Sequence, residues 1–242
     1  MCVRDSASEG RIMSGAVLAL IRHGEYHQAS DTPSAQQPWP LTSAGESQSR
    51  ALAGELQELM DAYQWTPADQ IITSTLLRAH QTGQIVSQHW PIPANLKAFE
   101  DLSERNLGSA NNLSITQIQS VLEADPRVSA WPSDWKSNST FRLPLPGAES
   151  LMDAGRRVAG RLKSLNRMFA ANTLVPVIGH GAAFRHAAYQ LGVLEFDEIQ
   201  RLSMFHAKPV CLQCAPSGVW TVVAGAWKVR ASEIELMDSP CD

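Results

Sequence analysis

The chain has 242 residues, of which 44% are hydrophobic, so it is long enough for one large or two small globular domains. The 20 Lys and Arg residues against 24 Asp and Glu give a net charge of -4, which excludes a general electrostatic attraction to nucleic acid or to an anionic membrane. No run approaches the roughly 18 apolar residues of a membrane span, and stretch 1–14 lacks the apolar centre of a secretory signal, so we expect a cytoplasmic protein.

Strand and helix signals alternate for most of the length, without repeats, and this alternation favours an α/β fold with a largely parallel sheet. We predict one domain over residues 15–230. It follows an N-terminal extension (1–14) that we expect to be disordered, and a C-terminal tail (231–242) comes after it. Met13 is an alternative start to Met1.

The first predicted strand is the apolar run from Ala16 to Ile21, and Arg22-His23-Gly24 follows it directly. Ligands of open α/β sheets bind beyond the carboxyl ends of the strands. An arginine beside a histidine at such a place suits an anion better than a metal cation. The sequence therefore predicts that this strand end contributes to a chemical site.

Four further elements are predicted before residue 100. Ser43 to Glu46 has the form of a capping box, and apolar residues then recur at helical spacing, which predicts the first helix. The run from Gln70 to Thr73 predicts a second strand. A helix from about Ser74 to His89 and a short strand from Leu96 to Phe99 follow.

The region 100–147 is irregular, with four prolines after position 125 and one modest helix near Ser114 to Ala124. A long segment of this kind inside a compact domain is usually functional or mobile. We interpret it as an insertion that covers a pocket.

The clearest helix follows Gly147, and its apolar stripe predicts that one face packs on the core. The stripe consists of Leu151, Ala154, Val158, Leu162, Leu165 and Phe169. We interpret the basic residues on its other faces, Arg157 among them, as solvated surface. Leu174 to Ile178 is the next predicted strand, and we place Pro176 near its start because proline cannot donate to a sheet ladder.

The final predicted elements are a helix from Ala182 to Leu191 and a hairpin around Pro216 to Gly218. The four cysteines do not form a disulfide framework for a chain of this size. Cys211 and Cys214 have metal-like spacing, but residues three apart in a strand face opposite sides. Two small strand residues are therefore favoured over a zinc site.

Four side chains that can do chemistry fall at corresponding places in this pattern. His23 and His180 each follow a strand, Arg78 lies in the helix after another strand, and Glu104 lies in the irregular segment. Each of them alone says little, because a histidine at a strand end is usually packed or solvated. For the other histidines we predict only packing or solvation; they are His27, His80, His89, His186 and His206.

Six motifs together resemble the histidine phosphatase superfamily, which includes the cofactor-dependent phosphoglycerate mutases. The motifs are Leu20-Ile21-Arg22-His23-Gly24-Glu25, Leu41 to Glu46, Thr73 to Thr82, Leu102 to Gly108, Pro146 to Ser150, and Gly179-His180-Gly181. The resemblance runs from about Val17 to Leu191. It implies a phosphoglycerate mutase-like fold in three layers, in which helices cover both faces of a mostly parallel central sheet.

By that resemblance, His23 is the nucleophile that takes the phosphoryl group, and Arg22, Arg78 and His180 surround the phosphate oxygens. Fixed guanidinium groups stabilise the charge of a transferring phosphoryl group by electrostatics and positioning. Glu104 matches the family's proton donor, which protonates the leaving oxygen and then deprotonates the attacking water. Neither a metal nor another cofactor is implied.

The resemblance also bears on the protonation of His23 and on three further residues. The attacking nitrogen of His23 must be unprotonated, which requires the other ring nitrogen to donate to a fixed group such as a backbone carbonyl. The Gly181 amide, at a helix start, is a candidate phosphate ligand. Tyr26 and Arg105 are adjacent to matched positions and either contact substrate or pack.

Several positions depart from the mutase pattern. Ala29 and Ala182 stand where mutases have asparagine, Leu107 stands for a tyrosine and Ile115 for a lysine. These departures weaken substrate retention and leave the hydrolytic core, so we predict a metal-independent phosphomonoesterase that acts through a phosphohistidine intermediate. The alternatives are a phosphoglycerate mutase-type phosphotransferase and a catalytically inactive phosphate-binding regulatory module.

We expect the partner to be a phosphorylated small molecule, with a phosphoprotein as the less favoured alternative. Arg105, Arg127, Lys136 and Arg142 are candidates to meet a second anionic group of the substrate, or else are ordinary surface residues. Two tryptophans of the same region, Trp131 and Trp135, are candidates to stack on it. The sequence does not indicate the oligomeric state.

Overall fold

A computed structural model describes residues 15–33 and 35–230. The predicted N-terminal extension and C-terminal tail, which include Met13, Cys2 and Cys241, lie outside the described residues. Within the described ranges, no helix is long and apolar enough to cross a membrane.

The helices and strands alternate along the chain. The strands are β1 (Val17–Arg22), β2 (Thr66–Pro67), β3 (Gln70–Ser74), β4 (Asn95–Phe99), β5 (Thr173–Gly179), β6 (Leu202–Ser203), β7 (Pro209–Cys214), β8 (Trp220–Gly225) and β9 (Lys228–Val229). The α-helices are α1 (Ser43–Tyr63), α2 (Leu77–Ser87), α3 (Ile115–Ala124), α4 (Leu151–Met168), α5 (Gly181–Gln190) and α6 (Phe196–Arg201).

The central sheet of the described chain has seven strands, six of them in the order β4-β3-β5-β1-β7-β8, with β2 beside β5. The pairs β1–β5, β2–β5, β3–β4 and β3–β5 are parallel, and the hairpin β7–β8 adds an antiparallel edge next to β1. The mostly parallel α/β fold predicted from the sequence is confirmed. The carboxyl ends of β1, β3 and β5 therefore meet at one edge of the sheet.

The sheet is covered by helices on both faces, because alternate residues of each strand point to opposite sides. Leu18 and Leu20 pack in a cluster with α4 and α5 side chains such as Leu162, whereas Val17 and Ile21 pack in a second cluster with α1 and α2. Full burial of one such side chain contributes about 1.5–3 kcal/mol. The two clusters thus fix the strands whose ends carry the site.

The segment 100–147 has a small apolar core of its own. This core consists of Ala35, Leu107, Ala110, Ile118, Leu122, Trp135, Leu143 and Ala148. Trp135 is only 2% exposed there, and Trp131 packs against the same cluster. Burial leaves the Trp135 ring no exposed face on which a substrate could stack, whereas Trp131 is only partly buried.

Two predicted helix starts are shifted. The N-cap of α1 is Thr42, whose Oγ1 accepts from the Gly45 amide at 3.0 Å, so the capping box assigned to Ser43 is wrong by one residue. Helix α2 begins at Leu77, not at Ser74, because Ser74 ends β3 and its Oγ accepts from the amide of the second residue after it in a tight turn.

Pro176 lies in the middle of β5, opposite Ala19 of β1, and its predicted place near the strand start is wrong. Backbone groups alternate between the two sides of a strand, and the Leu174 carbonyl accepts from the Ala68 amide on the β2 side. The Pro176 nitrogen faces that same side, where β2 has ended and pairing with β3 begins only at Ile72. The missing N–H therefore breaks no ladder bond.

The two described cysteines are packed and unpaired. Cys211 and Cys214 are free thiols in β7, and burial raises the pKa of Cys211 to about 12. Residues 15–33 and 35–230 contain no group of three or more His, Cys, Asp or Glu side chains arranged to hold a metal ion. Both cysteines lie in one strand, as the sequence predicts.

Candidate active site

His23 lies directly after β1, and its ring is held in one tautomer. The backbone amide of His23 donates to the Gly179 carbonyl at 3.0 Å, which continues the pairing of β1 with β5. The ring Nδ1 lies 2.7 Å from the Gly24 carbonyl. A carbonyl only accepts, so Nδ1 carries the proton and Nε2 carries the lone pair. Nε2 in turn accepts from Nε of Arg78 at 3.1 Å. This hydrogen-bond network assigns the neutral ring with its lone pair on Nε2.

The neutral form of His23 is stabilised by its surroundings. The ring is 4% exposed, and burial lowers its pKa well below the ordinary value, with the positive charges of Arg78 and Arg22 acting in the same direction. The bond to the Gly24 carbonyl opposes this shift. The imidazole therefore keeps its lone pair at neutral pH.

Two glycines bring the motif Leu41 to Glu46 into contact with the motif that contains His23. The loop after His23 crosses the start of α1 so closely that a Cβ on Gly24 would lie 2.5 Å from the Gly45 carbonyl oxygen, and a Cβ on Gly45 would clash with the Glu25 carbonyl. The Thr42 amide donates to that same Glu25 carbonyl at 3.0 Å. This backbone contact between α1 and the loop positions the carbonyl that holds the His23 ring.

Arg78 reaches the site from the first turn of α2 and is 1% exposed. Its Nη1 donates to the Gln37 carbonyl at 2.8 Å and its Nη2 to the Ala35 carbonyl at 2.9 Å. Its guanidinium also lies over the Tyr26 ring, 4.6 Å from the centroid. Burial lowers the pKa of Arg78, but an arginine remains charged under such conditions. The result is a fixed positive charge against the His23 ring.

His180 directly follows β5 and is the N-cap of α5, so it meets His23 from the end of the neighbouring parallel strand. The two rings lie 5.2 Å apart. Nε2 of His180 bonds Ser74 Oγ at 2.8 Å, and Nδ1 lies 3.3 Å from Nη2 of Arg78. Because the arginine only donates, Nδ1 accepts and Nε2 carries the proton. Burial, with Arg78 second, lowers the pKa of His180 well below its ordinary value.

Arg22 adds a second guanidinium to the site, and its charge contributes to lowering the pKa of His23. Its Nη1 donates to the Met204 carbonyl at 3.2 Å, and burial lowers its pKa while Glu104 raises it. Its side chain packs on Gly181, where a Cβ would lie 3.2 Å from the arginine Cδ. The Gly181 amide is the first of α5 and so has no partner within the helix, which leaves it suited to an anion.

Glu104 joins the insertion to α5. Its Oε1 accepts from the Arg105 amide at 3.0 Å and its Oε2 from the Ala182 amide at 3.2 Å, at the helix N-terminus. Its own carbonyl accepts from Nε2 of Gln36 at 3.1 Å. The carboxyl group is 8% exposed and therefore has a defined position at the edge of the site.

Arg157 of α4 fixes the loop that carries this carboxylate, and the expectation that it is solvated surface is wrong. Its Nη1 donates to the carbonyls of Asp101 and Ser103, at 3.0 Å each. Nε and Nη2 bind the two oxygens of Glu149, at 2.8 and 2.6 Å. The same Glu149 accepts from the Asn106 amide at 3.0 Å. One ion pair thus anchors the backbone on both sides of residue 104.

Tyr26 and Arg105 occupy different parts of the site. Tyr26 is 5% exposed and its ring stands edge-on to the His23 ring, 5.2 Å away. Arg105 is directed away from that ring, and its Nη2 donates to the Lys136 carbonyl of the insertion at 3.1 Å. Of the two predicted substrate-binding side chains, only Tyr26 therefore packs against the His23 ring.

Two histidines for which we expect only packing or solvation lie at the site. Nδ1 of His206 donates to the His23 carbonyl at 2.8 Å, and the two rings lie 5.5 Å apart, so His206 packs directly against His23. His186 is packed as predicted, between the Ala182 carbonyl and Ser139 Oγ, although it also borders a cavity. His206 belongs to none of the six motifs, and no local pattern marks it.

A cavity of about 590 Å³ opens next to Glu104 and Ala182. Its wall is formed by the insertion, α5, α6 and the end of the described chain, and His23 is not among the residues that line it. The site therefore has two parts: a buried cluster around His23, and a wider cavity that borders Glu104 and Ala182. Segment 100–147 contributes Lys136, Ser137 and Ser139 to this cavity.

The buried histidines predict that the protein loses stability in mild acid. Their pKa values are lowered, to about 4 for His186, so the unfolded chain binds protons first as the pH falls below 6.5. This contribution is complete above pH 6.5 and is lost as the pH falls toward the folded pKa. For His186 alone the free energy of unfolding is expected to fall by about 2 kcal/mol between pH 7 and pH 5.

Urea unfolding at pH 7 and pH 5 measures this loss. Asp125 and Asp153, whose pKa values are lowered to about 2, change charge at lower pH and contribute little to it. His23→Asn removes one of the buried imidazoles, so this variant is expected to lose less stability over the same interval. Equal unfolding free energies at the two pH values in the wild-type protein would contradict the prediction.

The fold and site together define a class of α/β protein in which two parallel strands bring histidines to a cluster of arginines suited to a phosphate-sized anion. The chain belongs to the histidine phosphatase superfamily (branch 1), whose family profile matches residues 18–227. The family resemblance predicted from the six motifs is confirmed.

Three similar proteins illustrate the breadth of this family. The uncharacterized phosphatase PhoE of Bacillus subtilis (strain 168) is 26% identical over 167 residues, 69% of this chain and 72% of that protein. A 2,3-bisphosphoglycerate-dependent phosphoglycerate mutase of Chelativorans sp. (strain BNC1) is 25% identical over 209 residues, 84% and 94% of the two chains. A mycobacterial glucosyl-3-phosphoglycerate phosphatase structure superposes with a TM-score of 0.67 at 19% identity, covering 90% of this chain and 100% of that chain. The last similarity concerns the fold alone.

Proposed function

We propose that the protein is a metal-independent phosphomonoesterase that works through a phosphohistidine at His23. The observation that carries this proposal is the neutral His23 ring, with Nδ1–H held by the Gly24 carbonyl at 2.7 Å and Nε2 facing Arg78 at 3.1 Å. A nucleophile needs an available lone pair, and a phosphoryl group needs fixed positive charge around its oxygens.

The reaction then has two steps. In the first, the Nε2 lone pair of His23 attacks phosphorus, the bond from phosphorus to the leaving oxygen breaks, and protonated Glu104 gives its proton to that oxygen. In the second, the Glu104 carboxylate takes a proton from water, the water oxygen attacks phosphorus, and the P–N bond breaks. Inorganic phosphate leaves, and both residues return to their starting states.

The surrounding cations act on the charge of the transferred group. Arg78, whose Nε donates to Nε2 of His23 in the free protein, donates to a phosphate oxygen when substrate is bound, and Arg22 supplies a second positive charge. The Gly181 amide and His180 complete the set. Since these groups are held by the protein before substrate arrives, little reorganisation is required in the transition state.

Hydrolysis is favoured over the mutase alternative by the places of four side chains. Leu107 and Ile115, which stand for a tyrosine and a lysine of the mutases, pack in the apolar core of the insertion. Ala29 and Ala182 have methyl side chains where mutases carry an amide. These positions therefore offer no side-chain hydrogen bond to retain a phosphorylated acid while the phosphoryl group returns to it.

The test is hydrolysis of p-nitrophenyl phosphate by the purified full chain in the presence of EDTA. We expect turnover under these conditions, and acid-labile, alkali-stable phosphate on His23 after rapid quenching during turnover. Activity that appears only on addition of a metal would contradict the proposal. Interconversion of 2- and 3-phosphoglycerate stimulated by the bisphosphate would favour the mutase, and vanadate binding without any turnover would favour the inactive module.

A further inference from the structure

The cavity beyond Glu104 is the place for the substrate's leaving group, an argument that rests on the proposed function. Glu104 gives its proton to the leaving oxygen, so the rest of that group extends past the carboxyl. The cavity of about 590 Å³ begins at Glu104 and Ala182. Small-molecule sites commonly have volumes of about 300–1,000 Å³. The space is therefore suited to a small molecule with a substantial leaving group.

The wall of this cavity carries more positive than negative charge. Its cations are Arg105, Lys136, Arg185 and Arg230, and its carboxylates are Glu104 and Asp134. The wall therefore carries four cationic side chains against two carboxyl groups. A neutral leaving group would leave this positive potential without a counter-charge.

Two of these guanidinium groups are buried without a carboxylate partner. Arg105 and Arg185 are each 6% exposed, and neither belongs to any ion pair within residues 15–33 and 35–230. Arg185 donates instead to backbone carbonyls of Ile199 and Leu202. Buried arginines are usually paired with an acid, because removing a charge from water is costly.

The cost of this burial is visible in the pKa values of the two residues. Burial lowers the pKa of Arg105, and it lowers that of Arg185 to about 10, with nearby Arg230 and Arg22 adding to the effect on Arg185. Glu104 opposes the shift in both. An anion in the cavity would act in the same direction as Glu104 and stabilise both charges.

Other basic residues of the insertion behave differently. Arg127 forms an ion pair with Asp125, and Arg142 forms one with Asp153, and neither arginine lines the cavity. For these two arginines the alternative of ordinary surface residues is therefore favoured. Lys136, in contrast, lines the cavity and is absent from the ion pairs of the described chain.

We infer that the preferred substrate is a phosphomonoester whose leaving group carries a second anionic group, a carboxylate or a phosphate, bound in this cavity by Arg105, Lys136 and Arg185. The phosphoryl group to be transferred lies at His23, on the other side of Glu104. In this arrangement the phosphoryl group of the substrate lies at His23, its second anionic group lies in the cavity, and the proton donor Glu104 lies between them.

Three aryl phosphates of similar size test the inference on the full chain. Phenyl phosphate has a neutral leaving group, 3-carboxyphenyl phosphate carries a carboxylate, and resorcinol bisphosphate carries a second phosphate. We expect kcat/KM to be at least about tenfold higher for one or both of the charged compounds, with a preference that shrinks as ionic strength rises. Comparison of those two identifies which anion the cavity prefers.

A pair of variants locates the effect. Lys136→Met should lower kcat/KM for the preferred charged compound several-fold more than for phenyl phosphate. Arg127→Met removes an exposed cation of the same insertion that lies outside the cavity, and it should leave the ratio between substrates unchanged. Both positions are exposed, so folding of the variants is expected and can be checked by thermal unfolding.

Equal kcat/KM values for the three compounds in the wild-type protein would overturn this inference and leave the proposed phosphatase intact. An equal loss for charged and neutral compounds in Lys136→Met would overturn it as well. If none of the three is hydrolysed and p-nitrophenyl phosphate is also inert, the proposed function itself fails and this inference fails with it.

Discussion

His23→Asn is expected to lower kcat/KM for p-nitrophenyl phosphate by at least about 10³-fold, because it removes the nucleophile of the proposed reaction. Asparagine is a suitable replacement here. Its side-chain amide donates from nearly the same place as Nδ1, so the bond to the Gly24 carbonyl is retained while Nε2 is lost. The measurement is steady-state hydrolysis in EDTA, together with labelling of the quenched protein.

The structure predicts that this loss is chemical and not a failure to fold. The amide of residue 23 still donates to the Gly179 carbonyl, and its carbonyl still accepts from His206. His80→Asn is a matched control, since His80 is an exposed histidine of α2, two residues from Arg78. Surface substitutions of this kind usually change stability by less than about 0.5 kcal/mol. Retained turnover and retained phosphoenzyme in His23→Asn would contradict the assignment of the nucleophile.

How far the sequence alone leads is shown by the two histidine motifs. An apolar run followed by a polar strand end is a local pattern, and the ends of parallel strands in one sheet meet at the same edge. The motifs after β1 and β5 are therefore brought together by topology that the sequence already predicts. The sequence also predicts the tautomer of His23. A backbone carbonyl that accepts from Nδ1–H leaves the lone pair on Nε2, although the sequence does not show which carbonyl this is.

The parts that the sequence does not predict depend on contacts between distant segments. His206 reaches the His23 carbonyl from a loop 183 positions away, and Arg157 reads as one basic residue among several on a helix surface. The position of Pro176 depends on where β2 ends and β3 begins beside it, which no pattern in β5 reveals. Likewise, the residue type does not show whether an arginine is buried or exposed, so the charge of the cavity wall is known only from the folded chain.

Glu104→Gln is expected to have a large effect that depends on the leaving group. For an alkyl phosphate the leaving oxygen is strongly basic and needs a proton, so we expect kcat/KM to fall by about 10²–10⁴-fold. p-Nitrophenolate leaves readily without a proton, and kcat/KM for p-nitrophenyl phosphate should fall much less. A structural defect would lower both values by the same factor, so their ratio is the informative quantity.

The second step gives an independent sign of the same role. Without Glu104 no carboxylate takes the proton from the attacking water, so p-nitrophenol should appear in a burst and phosphohistidine should accumulate. Rapid-quench measurement of the burst and of the trapped phosphate checks this outcome. Equal losses for alkyl and aryl substrates, with no burst, would contradict the assignment of Glu104 as proton donor.

Arg157→Met extends this prediction to the loop that carries the carboxylate. Without the guanidinium, the carbonyls of Asp101 and Ser103 lose their common donor and Glu149 loses its charge partner. The carboxyl of Glu104 is then held less well, so alkyl phosphates should lose several-fold more activity than p-nitrophenyl phosphate.

Arg161→Met is the control for that comparison. Arg161 lies one turn further along α4, pairs with the Asp101 side chain and lies over the Phe99 ring at 4.0 Å, but it donates to no backbone carbonyl between residues 103 and 106 in the described chain. Both variants lose an ion pair with an acidic side chain, and only Arg157→Met loses the bonds that fix residue 104. The informative quantity is the ratio of kcat/KM for an alkyl phosphate to kcat/KM for p-nitrophenyl phosphate. A ratio that changes in Arg157→Met and not in Arg161→Met would show that Arg157 positions the proton donor. Equal ratios in the two variants would show that Arg157 only supports the fold.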